Sequence, residues 1–453
     1  MSKKWVAVFG FAVLFFIAVG FTTHKTSKRP TPPVMGKKEF MAKSYERSRE
    51  LMGQGIQALK EKRMDDAVRS LVEAIAVFPP NTEAYAILSK IFLMTKQEIS
   101  LYKTLEHAGR SYSSFDDILK VVNDADLANI PLPVESADIY IAPFKDNKKM
   151  ALSFMFDDGE SSVYTGVMPL FEKYGYRASI SVVAGQVAPM PGNPERGSWS
   201  EWKDAVARGF EIASHSMSHR DAKTLKPEDL RFEIDDAKAM IEKNVGKKVS
   251  SYVFPMDSYT DTVLHYVTAS HPAARHPDYL RAFYGRTVDI MYGGQKFSVG
   301  TANRLVDIGI KSQLWLIAEC HGLDINNPNN YKPLTAEFLD EHLRYVRMHS
   351  PDLWVDTFGN VFEYLSLRKG TQVLRKDVAE REAEIVLHHP SLKVMPRPLT
   401  VVLKVQDQDV SVVAAQTSDG GSLKAWPCGA NHVCVNIAAY DQSVRVIWGG
   451  QKS

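Results

Sequence analysis

Short apolar runs alternate with stretches of helical periodicity between residues 137 and 368, and this pattern predicts a parallel sheet or barrel with helices between its strands. The apolar runs are IYIAPF, MALSFMF, ASISVVA, FEIASHS, SSYVFP, QLWLIAECH and LWVDTF. One intervening helix is easy to place, because Pro227 suits a first helical turn, Ile234 and Ile241 share a face, and Gly246 follows the end. In folds of this kind the carboxyl ends of the strands collect the functional side chains.

A helical segment precedes this region, at residues 38–112. Five residues stand at the spacing of a tetratricopeptide repeat, in which small side chains let two antiparallel helices approach closely. They are Gly55, Ala67, Leu71, Ala74 and Pro79. A weaker second copy opens at Thr82, and a plain helical hairpin is the alternative. Fewer than three repeats usually cannot bury a solenoid core alone. We therefore expect this segment to contact its neighbour or a protein partner.

A third pattern begins after Arg368. Residues 370–453 contain the alternating runs LTVVLKVQ, VSVVAAQ, HVCVNIAAY and SVRVIWGG, separated by DQD and SDGGS. These runs predict a small antiparallel β-sandwich. Such a domain either binds glycan or covers the barrel, and the sequence does not choose between the two.

The amino terminus, residues 1–30, indicates export. Lys3 and Lys4 precede an uncharged apolar run over residues 5–22, which suits a signal peptide or an anchor in the inner membrane. The pattern therefore predicts a protein of the periplasm or cell envelope, with the signal either cleaved or retained. A cytoplasmic protein with an apolar leader is the alternative.

Length and charge narrow the class of protein. The chain has 453 residues, enough for about three domains. Its 55 Lys and Arg nearly balance 53 Asp and Glu, so the basic field of a nucleic-acid-binding protein is absent. Of three cysteines, Cys320 is expected in the core, while Cys428 and Cys434 bracket GANHV and either close a loop or stay as thiols.

Candidate chemistry begins where the run MALSFMF ends. Asp157 and Asp158 come directly after it and before Gly159. Side chains alternate along a strand, so two adjacent acids cannot both face one cavity unless a turn interrupts the alternation. The glycine supplies that turn. Taken alone, the pair is equally compatible with an ordinary Asp-Gly turn.

Three histidines also follow apolar runs. His215 and His219 are four residues apart, a spacing that lets two imidazoles face one metal ion, and His321 precedes Gly322. The pair lacks the glutamate of the metalloprotease helix motif, since Ser-Met-Ser stands between. It becomes a convincing metal site only with a third ligand, which a carboxylate at another strand end can provide.

The fragments FMFDDG, SHSMSH, SYVFPMDSY and LIAECHG, in this order, resemble the motifs of the polysaccharide deacetylases, carbohydrate esterase family 4. The resemblance covers residues 145–366. It implies a distorted (β/α) barrel of α/β class with a divalent metal, usually zinc, with cobalt, nickel or manganese as alternatives. By the resemblance, Asp158, His215 and His219 bind the metal, Asp157 is the general base and His321 the general acid.

The sequence departs from the family in its proline motif. Many members carry an arginine there that pairs with the catalytic base, and Val253 stands near that place. Arg286 is the replacement we expect, and Asp289 is expected to orient His321. Asp257 stands where the family commonly has glycine and is expected to be a turn residue. Trp354 and Phe358 are expected in the core rather than in a groove wall.

Together these features predict a metal-dependent enzyme that removes N-acetyl groups from an N-acetylhexosamine polymer, either peptidoglycan or an exported surface polysaccharide. The same chemistry serves O-acetyl esters, which is the first alternative. A catalytically inactive glycan-binding scaffold is the second, although a scaffold would have little reason to keep both Asp157 and His321.

Overall fold

The structure is a computed structural model that describes residues 37–110 except 96, and residues 137–450 except 294–296, 326, 328–329 and 407–409. It divides into two compact units, residues 1–130 and 131–453. The predicted signal or anchor at residues 1–30 lies outside the described residues. No helix within the described ranges is long and apolar enough to cross a membrane.

The first unit is helical, as predicted. Its described helices are α1 (Lys37–Lys60), α2 (Met64–Val77), α3 (Thr82–Met94) and α4 (Glu98–Arg110). A Cβ atom on Gly55 would lie 3.0 Å from Cγ of Leu71, so glycine permits the close approach of α1 and α2. Ala67, Leu71 and Ala74 are buried at this contact. The tetratricopeptide assignment and its protein partner stay predictions.

The second unit contains the predicted parallel sheet. Its strands are β2 (Met150–Phe156), β3 (Ser179–Val182), β4 (Glu211–Ser214), β5 (Ser251–Val253), β6 (Ala273–Arg275), β7 (Thr287–Met291), β8 (Trp315–Cys320) and β9 (Leu353–Val355). The order is β6-β5-β4-β3-β2-β8-β7, and β9 pairs with the start of β2. Every residue of β2 is buried, as expected for a central strand covered on both faces. The α/β class and the open-barrel sheet are thereby confirmed.

Helices connect these strands. They are α5 (Met168–Lys173), α6 (Trp199–Ala207), α7 (Pro227–Leu230), α8 (Ala237–Val245), α9 (Asp261–Ser270), α10 (Pro277–Arg281), α11 (Val299–Ser312), α12 (Ala336–Met348) and α13 (Phe358–Gly370). A π-helical segment, Arg231–Asp236, joins α7 to α8. The predicted helix from Pro227 to Gly246 is confirmed, and Gly246 ends it at φ 76°.

One predicted strand belongs to a different sheet. IYIAPF forms β1 (Ile139–Ile141), but β1 pairs antiparallel with β12 (Leu399–Lys404) rather than with the parallel sheet. The expectation that it is a barrel strand was wrong, because an apolar run does not reveal which edge will pair with it.

The carboxyl-terminal region forms two antiparallel sheets, which confirms the sandwich-like domain. Its further strands are β10 (Gln372–Ala379), β11 (Glu382–His388), β13 (Val410–Thr417), β14 (Ser422–Leu423), β15 (Ala425–Gly429), β16 (His432–Ile437) and β17 (Ser443–Gly450). The sheet orders are β1-β12-β16-β15 and β10-β11-β17-β13-β14. Cys428 and Cys434 form a disulfide, and Cys320 is a buried free thiol.

The two sheet systems share one hydrophobic core. Trp354 and Phe358 from the parallel-sheet region pack in the same cluster as Ile385, Leu399 and Val446 from the antiparallel sheets. The prediction of core positions for Trp354 and Phe358 is confirmed. The antiparallel domain therefore completes the core of the parallel-sheet domain.

Candidate metal and catalytic site

The candidate residues come together at the carboxyl ends of the parallel strands. Asp157 and Asp158 follow β2, His215 follows β4, and His321 follows β8. Asp158 has φ 69° and His219 φ 61°, a left-handed conformation that non-glycine residues adopt only at a cost. The turn at Asp158 interrupts the alternation of side chains along β2, so that both aspartates lie beside His215 and His321.

Asp158, His215 and His219 form a compact group of three ligands. Oδ1 of Asp158 lies 3.5 Å from Nε2 of His215 and 3.3 Å from Nε2 of His219. Ligands about 2.0–2.2 Å from a tetrahedral ion stand roughly 3.4 Å apart, so these separations fit a zinc-sized cation. The ligand atoms therefore have the spacing that a bound metal requires.

Surrounding groups fix the orientation of these ligands. Nδ1 of His215 lies 2.9 Å from the carbonyl oxygen of Val253, which leaves Nε2 to face Asp158. The buried Glu233 carboxylate accepts hydrogen bonds from the backbone N–H and the hydroxyl of Ser218, and thereby holds the loop between the two histidines. Arg196 donates to the Asp158 carbonyl and to Glu160.

The base candidate Asp157 is buried and held by an arginine. Nη1 and Nη2 of Arg275 lie 3.1 and 2.7 Å from its two carboxylate oxygens, and the Ser181 hydroxyl donates to Oδ1 at 2.6 Å. The expected replacement, Arg286, was wrong: Arg275 binds both Asp157 oxygens, while Arg286 donates to the Ser312 carbonyl. Arg275 is paired with Val253 across strands β5 and β6, so the missing family arginine is supplied at the neighbouring strand position.

Arg275 is surrounded by further carboxylates. Asp257 lies 3.5 Å from Nη2, Glu319 3.6 Å from Nη2, and Asp289 3.6 Å from Nε. Asp257 is therefore more than a turn residue. Asp289 contacts Arg275, and its predicted role in orienting His321 stays a prediction. With four carboxylates around it, the guanidinium remains charged, and its pKa lies well above the usual value despite burial.

The acid candidate His321 is buried beside an exposed aromatic ring. The Tyr331 ring centroid lies 5.0 Å from that of His321, and Tyr331 is 50% exposed. Within the described part of the chain, Nδ1 of His321 has no hydrogen-bond partner. Burial lowers the pKa of His321 more than Asp157 and Asp158 raise it, so the imidazole is mainly neutral near pH 7.

The two aspartates have depressed pKa values in spite of burial. Burial alone would raise the pKa of Asp157, but Arg275 and the neighbouring histidines outweigh it and lower the pKa. For Asp158, burial is likewise outweighed by the interaction with His215. Both carboxylates are therefore ionised at neutral pH, as a metal ligand and a base must be.

Sequence analysis missed Arg275, Ser181 and Glu319. Arg275 ends the short run AAR, which carries no motif, and only the pairing of β5 with β6 brings it next to the vacant family position. A charged residue at the carboxyl end of a strand was the available signal. Ser181 and Glu319 lie within apolar strands, where nothing in the pattern distinguishes them from core residues.

The three side chains at the carboxyl edge of the parallel sheet could hold a metal ion, and comparison with known proteins gives the family of this region. Residues 144–272 match the family model described as polysaccharide deacetylase. This part of the chain is a polysaccharide deacetylase domain, and the resemblance seen in its motifs is confirmed.

Individual relatives are distant. The chain is 22% identical over 412 residues to a gellan lyase of a Bacillus species, an alignment that covers 81% of this chain and 16% of the relative. It is 29% identical over 117 residues to a bifunctional xylanase/deacetylase of Pseudobutyrivibrio xylanivorans, covering 26% and 18%. The solved Xyl-CE4 domain of a multidomain xylanase from the hindgut metagenome of Trinervitermes trinervoides has a TM-score of 0.35 at 20% identity, and the match covers 47% of this chain and 90% of that domain. The chain thus spans less than a fifth of the length of the gellan lyase and of the bifunctional xylanase/deacetylase.

Proposed function

We propose that this protein is an exported, metal-dependent deacetylase that removes N-acetyl groups from an N-acetylhexosamine polymer, either peptidoglycan or a surface polysaccharide. One observation carries the proposal. Three ligand atoms at metal-type spacing lie beside an ionised aspartate, Asp157, that a buried arginine holds in place. The apolar leader at residues 5–22 supports export.

The residues present fit a divalent cation, with zinc as the first choice. One carboxylate and two imidazoles are the donor set that zinc accepts, and three protein ligands leave a coordination position open. A cation held by Asp158, His215 and His219 would polarise the acetyl carbonyl and acidify water there. Cobalt, nickel and manganese accept the same donors.

In this proposal Asp157 acts as the general base. Its carboxylate is ionised and fixed by Arg275 and Ser181, so it is ready to accept a proton from the attacking water without first reorganising. Arg275 acts by positioning Asp157. It also keeps the basicity of Asp157 modest, which favours proton release after each turnover.

His321 acts as the general acid. An amine is a poor leaving group unless it is protonated, so the scissile nitrogen needs a donor. Ligand atoms of Asp157, Glu319 and His321 lie within 4.8 Å of one another, so a proton accepted by Asp157 has a short path to His321. Burial makes His321 a weak base, and a proton reaching it is readily passed on.

A substrate panel tests the choice of N-acetyl over O-acetyl groups. Acetate release is measured with N-acetylglucosamine oligomers, peptidoglycan and acetylated xylan, each with added zinc. The proposal predicts the highest kcat/KM on an N-acetylated substrate. A preference for acetylated xylan would instead support the O-acetyl esterase alternative, and no acetate release from any substrate together with no bound metal would support the scaffold.

A further inference from the structure

A cavity lies at the opposite end of the parallel sheet from the candidate catalytic site. Its volume is about 470 Å³, within the usual range of ligand sites. Its walls include Asp146, Gln313 and Asp352, which precede strands β2, β8 and β9 and so mark the amino ends of the sheet. β2 spans seven residues, so the cavity lies roughly 20 Å from the aspartate pair.

Two residues that line the cavity, Tyr140 and Trp426, stand at the ends of a row of residues across one antiparallel sheet. Tyr140 pairs with Val402, Val402 with Cys434, and Cys434 with Trp426, across β1, β12, β16 and β15. Directly opposite residues share a face of a sheet, so this row lies on one surface. Their chain neighbours, such as Val401 and Val435, point into the shared core. The row therefore faces away from that core.

Aromatic rings stand at both ends of this row. Tyr140 and Trp426 are partly exposed on the two edge strands, and between them lie the buried Val402 and Cys434. Three strand spacings separate the two rings' backbones by about 14 Å. The disulfide from Cys428 to Cys434 ties the Trp426 strand to its neighbour. The two partly exposed rings pack against this buried pair and line the cavity, and Nζ of Lys424 lies 4.7 Å from the centroid of the Trp426 ring.

The charged side chains at the cavity are engaged with one another or with backbone carbonyls. Lys424 lies 3.0 Å from Asp146, and Lys149 lies 3.1 Å from Asp352. Lys148 donates to two backbone carbonyls, those of Ser350 and Pro351. Because two of these lysines are paired with carboxylates and the third donates to carbonyl oxygens, the cavity offers interleaved donors and acceptors. Hydroxyl groups, which both donate and accept, match such walls.

We propose that the cavity between Tyr140 and Trp426 is a carbohydrate-binding site that holds a short segment of pyranose polymer. Aromatic rings pack on the apolar C–H faces of sugars, and the interleaved polar groups receive the hydroxyls. The choice of a pyranose polymer over other neutral polyols rests on the proposed function. The site would keep the protein on a polymer while the distant catalytic site acts on it.

Retention on insoluble polymer tests the proposal. The full chain carrying Asp157→Asn, which prevents turnover, is incubated with chitin and with purified peptidoglycan, and the bound fraction is measured. Trp426→Ala and Tyr140→Ala in this background are each expected to lower retention about fivefold or more, as for a binding hot spot. Phe232→Ala, at a 53% exposed ring outside the cavity, is the matched control and should leave retention unchanged.

The catalytic reaction supplies an independent comparison. In the active protein, Trp426→Ala should lower the rate of acetate release from insoluble polymer and leave kcat/KM on a soluble trimer unchanged. Retention that neither variant alters, or no retention on either polymer, overturns the carbohydrate site. Trp426-dependent retention without any acetate release would keep the carbohydrate site and overturn the proposed deacetylase function.

Discussion

At the scale of single residues, Arg275 links the candidate base to the acidic groups around it, because it binds both carboxylate oxygens of Asp157 and lies beside Glu319. The resemblance of the motifs to a known family pointed to Asp157, Asp158, His215, His219 and His321, and the structure brings these residues together. The resemblance could not select Arg275, because the relation between Arg275 and Val253 is a cross-strand pairing and not a separation along the chain. Sequence motifs can therefore locate residues within one continuous segment, but not residues that become neighbours only through strand pairing.

The first prediction concerns the position of the guanidinium. Arg275→Val should lower kcat/KM roughly 10²-fold, because it removes the group that holds Asp157 and leaves buried carboxylates without a counterion. The double variant Val253→Arg/Arg275→Val returns an arginine to the usual family position and should recover part of the loss. Acetate release and thermal melting, measured together, separate loss of catalysis from loss of folding.

Arg286→Lys is the control for this pair. Arg286 donates to the Ser312 carbonyl, so a lysine there should leave kcat/KM nearly unchanged. If Arg286→Lys lowered activity as much as Arg275→Val, the assignment of Arg275 as the positioning residue would be wrong.

A second prediction separates the two candidate ligand groups. His219→Ala should abolish tight zinc binding, whereas His321→Ala should retain about one zinc per chain. The physical reason is that the group of Asp157, Glu319 and His321 has the Arg275 cation against it, which disfavours a second cation. Metal content after dialysis measures both variants, and zinc lost equally from both would contradict this ligand assignment.

At the scale of elements, apolar periodicity predicted the existence of strands and helices well and their partners less well. The helix from Pro227 to Val245 was located because its apolar spacing and its terminal glycine agree. β1 was assigned to the wrong sheet, because pairing depends on which edge is open and not on composition. Small residues such as Gly55 indicated a close helix contact, which the structure contains.

Helix α12 contains a histidine that makes stability depend on pH. His342 is fully buried among aromatic rings, with Nδ1 2.8 Å from Asn303 Oδ1, and burial lowers its pKa to about 3. In the unfolded chain it takes up a proton near pH 6.5. Acid therefore favours the unfolded state, and the contribution of His342 to stability falls by about 1.4 kcal/mol per pH unit below that point.

The third prediction follows from this linkage. His342→Gln should flatten the loss of stability between about pH 6 and pH 4, measured as the urea midpoint at each pH. His265→Gln is the control, because His265 is exposed in the folded protein and should leave the slope unchanged. Equal slopes for wild type and His342→Gln would show that the buried imidazole is not the group responsible.

At the scale of the whole molecule, the parallel-sheet domain and the antiparallel domain form one compact unit with one core. The hydrophobic pattern of the sequence changes near residue 370 and suggests a domain boundary. Apolar side chains from before and after residue 370 nevertheless meet in a single cluster. Sequence alone could not show this, because strands that pack in a shared core have the same alternating pattern of apolar residues as strands that pack in a core of their own.

The fourth prediction tests this coupling. Leu399→Ala, in the buried part of β12, should cost about 2–5 kcal/mol of unfolding free energy. Because the core is shared, catalytic activity and global structure should be lost at the same lowered urea concentration. Leu374→Ala, at a 58% exposed site on β10, should leave the midpoint almost unchanged. Activity that outlasts the loss of β structure would instead indicate independent domains.

The most direct measurement is acetate release from N-acetylglucosamine oligomers by protein stripped of metal and then reconstituted with zinc, beside Asp157→Asn treated identically. The account predicts no acetate from stripped protein, recovery with about one zinc per chain, and at least a 10²-fold lower rate for Asp157→Asn with zinc still bound. Acetate release that persists without metal, or that is unaffected by Asp157→Asn, would contradict the proposed mechanism.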